Sequence, residues 1–272
     1  MRSGILGYIA PIKNVRGLGY TYSEADFRIT NNPLTERDIE WLTDAVGILR
    51  QFKGFSHFYE VESLIYKLEE KINKNNKYGI QFDTLPDTAG LDWIEPVKQA
   101  INKEKVLEMK YKPFLSVSSK IQIHPYLLKE YNNRWFVIGL TKEHKNFGVH
   151  ALDRIESLSE SIIKFKQPNR IQLNNYFKDI IGVTNNMDSE LEEIIIRISR
   201  YRAEYLKTKP IHESQKILAE NDDFIRFSFK LKLNKELTAL LLEFGKDLII
   251  EKPESLITEF KNIYNQALKN YS

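Results

Sequence analysis

The stretch HPYLLKEYNNRWFVIG, residues 124–139, holds two strand-forming runs hinged at Asn132-Asn133. Asparagine tolerates the positive φ that a two-residue type I′ turn demands, so the stretch reads as a β-hairpin. A two-residue turn also fixes the pairing. Tyr131 is expected to face Arg134 and Glu130 to face Trp135, and so on down to Tyr126 opposite Gly139. Because side chains alternate along a strand, His124, Tyr126, Leu128, Trp135 and Val137 should share one face. Leu127, Lys129, Arg134, Phe136 and Ile138 should share the other.

Strand patterns continue on both sides. Val106–Tyr111 and Lys120–Ile123 alternate, and further short runs end near Ile163. About five short strands in so few residues predict a small closed or nearly closed barrel. Beyond a connecting segment near Pro168–Asn186, the pattern becomes strand (Leu191–Ser199), helix (Arg200–Lys207), strand (Ser214–Glu220), strand (Phe224–Leu233), helix (Lys235–Phe244), strand (Asp247–Ile250) and helix (Glu254–Lys269). That β-α-β-β-α-β order predicts a ferredoxin-like sandwich with one helix-covered sheet face. Leu256, Phe260, Ile263, Tyr264 and Ala267 give the last helix an apolar side.

On the N-terminal side, Trp93, Ile94, Val97 and Ile101 predict a short amphipathic helix. Thr35 and Asp38 form an approximate capping box ahead of Ile39, Leu42, Val46 and Leu49. Phe58, Val61, Ile65, Leu68 and Ile72 then alternate spacings of three and four, the seam of a helical hairpin or of a dimer. The first thirty residues read as a β-hairpin, with Tyr8–Ile12 and Tyr20–Tyr22 separated by Lys13–Gly19.

Composition bounds the function. The 272 residues are 42% hydrophobic and 28% charged, a soluble globular balance. No apolar run approaches the ~20 residues a membrane span needs, and no signal peptide is visible. Cysteine is absent, which removes disulfides, thiolate metal sites and thiol catalysis and suits a cytoplasmic location. The net charge of +3 is unevenly spread, because residues 101–170 carry 13 Lys/Arg against 7 Asp/Glu, a local excess of +6. A basic folded segment attracts polyanions.

No reaction type emerges. Gly17-Leu18-Gly19 lacks the third glycine and the following helix of a phosphate loop. His57, His124, His144, His150 and His212 include no pair at helical metal-ligand spacing, and no serine nucleophile elbow is present. No cofactor is implied. The densest chemistry lies in the barrel segment, where Lys110, Tyr111, His124, Tyr126, Lys129, Arg134, Trp135, His150 and Arg154 combine cations with stacking rings, the means by which proteins hold bases and phosphates. The alternative is that the rings are core and the cations rim, with Arg154 in a salt bridge.

The run from His124 to Gly139, followed by Ala151-Leu152-Asp153-Arg154-Ile155, resembles the WYL-domain family of bacterial transcriptional regulators in the order and spacing of its proline-bearing, tryptophan and Asp-Arg-Ile strands. Trp135-Phe136-Val137 stands where that family has Trp-Tyr-Leu, so no ligand contact is carried over to Phe136. The resemblance implies an α+β chain: an Sm-like β-barrel over 103–170, a ferredoxin-like extension over 187–272, and a helical linker or dimerisation region over 31–102. Residues 1–30 then read as the wing of a winged helix-turn-helix, most of which is missing.

The implied function is sensing of a nucleotide or nucleic-acid effector by a non-enzymatic, homodimeric regulator. Tyr111, His124, Tyr126, Lys129, Arg134, Trp135, His150 and Arg154 are the candidate ligand residues. Without a recognition helix, Lys13 and Arg16 would supply only phosphate contacts, giving weak, salt-sensitive DNA binding. The competing reading is an accessory protein that grips single strands directly.

Overall fold

The computed structural model describes residues 12–17, 19–23, 41, 89–142 and 147–271. Within the expected helical linker over 31–102, residues 31–40 and 42–88, with the 58–72 seam, lie outside them. The chain divides into two units, Met1–Thr84 and Leu85–Ser272, and each is described by itself.

In the first unit, β1 (Ile12–Val15) and β2 (Gly19–Tyr22) form an antiparallel hairpin with Lys13 opposite Thr21. Lys13 therefore belongs to a strand rather than to the turn. The turn falls at Arg16-Gly17, where Gly17 has φ +90°. Lys13 and Arg16 are both exposed.

The second unit opens with helix α1 (Ile94–Asn102), which buries Ile94, Val97 and Ala100 as its period requires. A five-stranded antiparallel sheet follows: β3 (Val106–Tyr111), β4 (Ser119–Tyr131), β5 (Arg134–Thr141), β6 (Phe147–Ala151) and β7 (Ile155–Ser161), in the order β6-β5-β4-β3-β7. No ladder joins β6 to β7 among the described residues, so the expected closed barrel is an open sheet. Strand count and alternation do not reveal closure, which depends on stagger between strands.

The hairpin turn forms as expected. Asn132 and Asn133 have φ +51° and +59°, and the Glu130 carboxylate accepts the Asn133 N–H at 2.6 Å. Pairing also runs as expected from Tyr131–Arg134 to Leu127–Ile138. Between Pro125 and Leu127 the register then shifts, so that Pro125 rather than Tyr126 faces Gly139 and His124 faces Leu140. Proline has no N–H for the ladder and is at home at a bulge. A one-residue slip reverses side-chain direction, and His124 consequently lies on the face opposite Trp135 and Val137.

Gly139 is required at this bulge. A Cβ there would stand 2.2 Å from the His124 carbonyl oxygen and 2.7 Å from Ile123 Cγ1.

A second antiparallel sheet contains β8 (Glu192–Ser199), β9 (Lys216–Glu220), β10 (Phe224–Leu231) and β11 (Leu248–Lys252), ordered β11-β8-β10-β9. Helix α2 (Arg170–Asn175) precedes it. Helices α3 (Arg200–Thr208), α4 (Lys235–Leu242) and α5 (Glu254–Lys269) complete the unit. Strands β8 and β10 bury Ile194, Ile196, Ile198, Ile225, Phe227, Phe229 and Leu231 against Leu206, Leu237, Leu241, Leu256 and Phe260 of the helices. Each such side chain contributes about 1.5–3 kcal/mol by leaving water. Only the first half of α5 is buried, and Tyr264 and Ala267 are exposed. On the other side of the sheet Arg197 pairs directly with Arg226. Like charges there repel, and Glu251 offsets this with contacts of 3.6 Å and 2.7 Å.

Candidate functional site

The predicted ligand residues do not form one surface. They separate into two main clusters at different places on the five-stranded sheet, one around Arg134 and Arg154 and one around His124 and Tyr126.

The first cluster gathers where β3, β5 and the turn Leu152–Arg154 end together. Arg134, the first residue of β5, pairs with Asp153 at 3.1 Å. With 43% of the Arg134 side chain exposed, this pair contributes at most about 1 kcal/mol and leaves donors facing solvent. Arg154 lies 4.1 Å from the Phe114 ring centroid, and Arg134 lies 5.8 Å from the same centroid. The guanidinium groups thus converge on one exposed ring instead of pointing to opposite sides. Asp153 bridges Arg134, not its neighbour Arg154.

The backbone that carries Arg154 is held from several directions. The Lys112 N–H donates to the Arg154 carbonyl at 3.0 Å, and Trp93 Nε1 donates to the Ile155 carbonyl at 3.1 Å. Gly90, at φ +89°, packs so closely that a Cβ would fall 2.5 Å from the Asp153 nitrogen. The Ala151 N–H donates to the buried Tyr111 hydroxyl at 3.2 Å. The Tyr111 ring in turn meets His150 edge-on at 5.1 Å. Burial pushes the Tyr111 hydroxyl above its ordinary pKa, partly opposed by the Ala151 hydrogen bond and the Arg154 charge. It therefore stays protonated at neutral pH, with its oxygen held by the Ala151 N–H. Arg154 Nε is buried without a hydrogen-bond partner.

The second cluster is built by the bulge. His124 and Tyr126 both meet Phe165 edge-on, at 5.8 Å and 5.7 Å. The Lys166 N–H donates to His124 Nδ1 at 3.0 Å, and the Tyr126 hydroxyl donates to the Lys166 carbonyl at 2.8 Å. Desolvation, reinforced by the Lys166 charge, lowers the His124 pKa, which matches a neutral ring accepting at Nδ1. A cavity of about 400 Å³ opens beside His124, with Lys142 and Lys166 at its edge. His124 Nδ1 and the Tyr126 hydroxyl are thus engaged in fastening the segment after β7. Lys129 lies 4.3 Å from the Phe177 centroid, and Trp135 is half-buried on the register face of Val137.

The arrangement can hold an oxyanion at Arg134, Arg154 and Tyr111, beside an aromatic surface. Phe114 was missed by sequence reasoning because it sits in a turn between strands with no period. The signal available was its place between Lys112 and the strand that begins at Ser119, in a segment of exposed apolar residues. Among the described residues no group of three His, Asp or Glu side chains is placed to hold a metal. No helix there is long and apolar enough to cross a membrane.

Residues 92–160 match the WYL domain, and residues 190–268 match the WCX domain. No curated protein matches the chain. Among solved structures it is similar to proteasome accessory factor B/C (PafBC) of Arthrobacter aurescens, at 15% identity and a TM-score of 0.31, over 88% of this chain and 36% of that one. It is also similar to a CRISPR Cas-related protein, at 15% identity and a TM-score of 0.44, over 67% of this chain and 52% of that one. The chain therefore spans between about a third and about half of the length of these structures.

Proposed function

We propose, on the premise that this chain belongs to the WYL-domain family through its WYL and WCX domains, that it is the ligand-sensing module of a transcriptional regulator. Its effector is a nucleotide or nucleic acid, held at the end of the five-stranded sheet by Arg134, Arg154 and Tyr111, with His150 behind Tyr111. The observation that carries this reading is the convergence of two guanidinium groups on one exposed ring, with Asp153 paired to Arg134 alone. Planar guanidinium forks match phosphate geometry, and a partly desolvated site strengthens each contact.

The strand order β7-β3-β4-β5-β6 supports an Sm-like reading of the first sheet. The β-α-β-β-α-β succession with order β11-β8-β10-β9 supports a ferredoxin-like reading of the second. His124, Tyr126 and Lys129 are here positioning residues rather than ligand contacts. Lys13 and Arg16, exposed on the first hairpin, add weak phosphate contacts to duplex DNA, and the active regulator is a cytoplasmic homodimer. Effector binding acts as a switch only through a preference for one arrangement of the two subunits.

Fluorescence anisotropy with labelled oligonucleotides, on the 272-residue chain and on its R134A and R154A variants, tests this reading. Each variant should lose affinity about tenfold or more while sedimentation shows the same oligomeric state, since a charge-assisted hydrogen bond contributes about 1.5–3 kcal/mol. Unchanged affinity in both variants refutes the assignment.

A further inference from the structure

We infer that Phe114 is the base-stacking residue of this site, so that the ligand must present an unpaired nucleobase beside its phosphate. The inference rests on the function proposed above and adds a residue and a recognition rule to it. Phe114 is 63% exposed, and its neighbours Leu115 and Val117 are more exposed still. A turn with such side chains would ordinarily fold them inward. Here the turn is tethered at both ends to the segment that carries Arg154. The Lys112 N–H donates to the Arg154 carbonyl at 3.0 Å on one side, and Ser118 Oγ donates to Glu156 at 2.9 Å on the other. Lys110 holds the same Glu156 at 2.8 Å. Within the turn, the Ser116 N–H donates to the Pro113 carbonyl at 3.2 Å, and Leu115 takes φ +57°.

The consequence is an aromatic ring fixed beside two guanidinium groups with most of its surface open. A guanidinium near a ring is attracted to its π-electrons; Arg154 lies over the ring at 4.1 Å, and the residue still stays 63% exposed for a base to meet. The spacing suits a nucleotide. A base stacks on the ring while its phosphate meets Arg154 and Arg134, whose centroid distances of 4.1 Å and 5.8 Å place both charges within one nucleotide's reach. Stacking requires a free base face, so duplex DNA, whose bases are mutually stacked, is disfavoured. An inorganic polyphosphate gains nothing from the ring.

The test compares ligands that differ only in the base. The full chain is titrated with a short single-stranded oligothymidylate and with an abasic strand of equal length, then with ATP and with inorganic tripolyphosphate. Stacking on an aromatic side chain is lost on alanine substitution at a cost equivalent to about fivefold or more in affinity per base. F114A should therefore weaken oligothymidylate or ATP by at least that factor and leave the abasic strand and tripolyphosphate unchanged. F114W should bind the base-bearing ligand at least as tightly as the parent protein. The exposed position leaves F114A folded, which an unchanged melting temperature verifies. Equal affinity of the parent protein for base-bearing and base-free ligands overturns the stacking role alone. Failure of every ligand to bind overturns the site itself, and the inference with it.

Discussion

Replacing Gly139 by alanine tests whether the bulge in β4 is what turns His124 to the face opposite Trp135. The added Cβ would sit 2.2 Å from the His124 carbonyl oxygen and 2.7 Å and 2.9 Å from Ile123 Cγ1 and Cδ1. An ordinary contact needs about 1 Å more against the carbonyl. That carbonyl cannot retreat alone, because β4 is paired with both β3 and β5, and Gly139 is held too, since β5 is paired on both sides and Gly139 faces Gly148 of β6. Overpacking by one methyl in a rigid core costs about 1–3 kcal/mol, and a lost ladder hydrogen bond adds about 1 kcal/mol. Restricting the unfolded chain returns about 0.4–1 kcal/mol. A net destabilisation of about 2–3 kcal/mol is expected.

Urea unfolding followed by tryptophan fluorescence measures it, with an unchanged slope showing that the denatured state is unaltered. The Cβ of G245A meets nothing within 4 Å, so only its φ of +54° is penalised, and it serves as the comparison at about 1–2 kcal/mol. A loss below 1 kcal/mol in G139A would refute the close approach of the two strands, and with it the register that places His124 away from Trp135.

Three further outcomes follow from the same contacts. Y111F removes the acceptor of the buried Ala151 N–H and should cost about 1–3 kcal/mol; a neutral or stabilising result by calorimetry would show that the hydroxyl has no such role. His124 has a folded-state pKa below its ordinary value, so the unfolded chain takes up a proton first as pH falls. Its contribution to stability is complete above about pH 6.5 and declines from there toward the lower folded-state pKa; melting temperatures between pH 7.5 and 5 should fall less in H124N than in the parent, and parallel profiles would contradict the neutral Nδ1 acceptor. N234A removes the acceptor for the Leu237 N–H at the start of α4 and the donor to the Ile181 and Thr184 carbonyls, each at 2.8 Å. A loss of about 1–2 kcal/mol is expected from the cap alone, and a loss under 0.5 kcal/mol in chemical denaturation would refute it.

The parts of the fold that depend on local chemistry were readable in advance. Asn132-Asn133 determines its own turn, and the turn dictates every pairing up to Leu127–Ile138. The alternation of β8 and β10 and the bounds of α5, Glu254–Lys269, follow from periodicity that neighbours reinforce. The bulge was not readable to the residue. Pro125 signals that the ladder is interrupted somewhere, but whether Pro125 or Tyr126 becomes the extra residue depends on Gly139 and on Phe165 packing beyond the sheet. That single residue moved His124 to the other face. In the site, Arg134 and Arg154 were recognisable as cations near one hairpin. Their meeting at Phe114 was not, because it depends on long-range tethers from Lys112 and Ser118 to the segment after β6.

The most direct test is the salt dependence of binding. Log affinity for a short single-stranded oligonucleotide is measured against log salt concentration for the parent chain and for the variant carrying both Arg134→Ala and Arg154→Ala. Each phosphate contact on a single strand contributes about 0.7 to the slope, so the double variant should lose about 1.4 from its magnitude together with affinity. A parent slope retained in full by the double variant would mean that the phosphates are bound elsewhere, and the proposed site would be wrong.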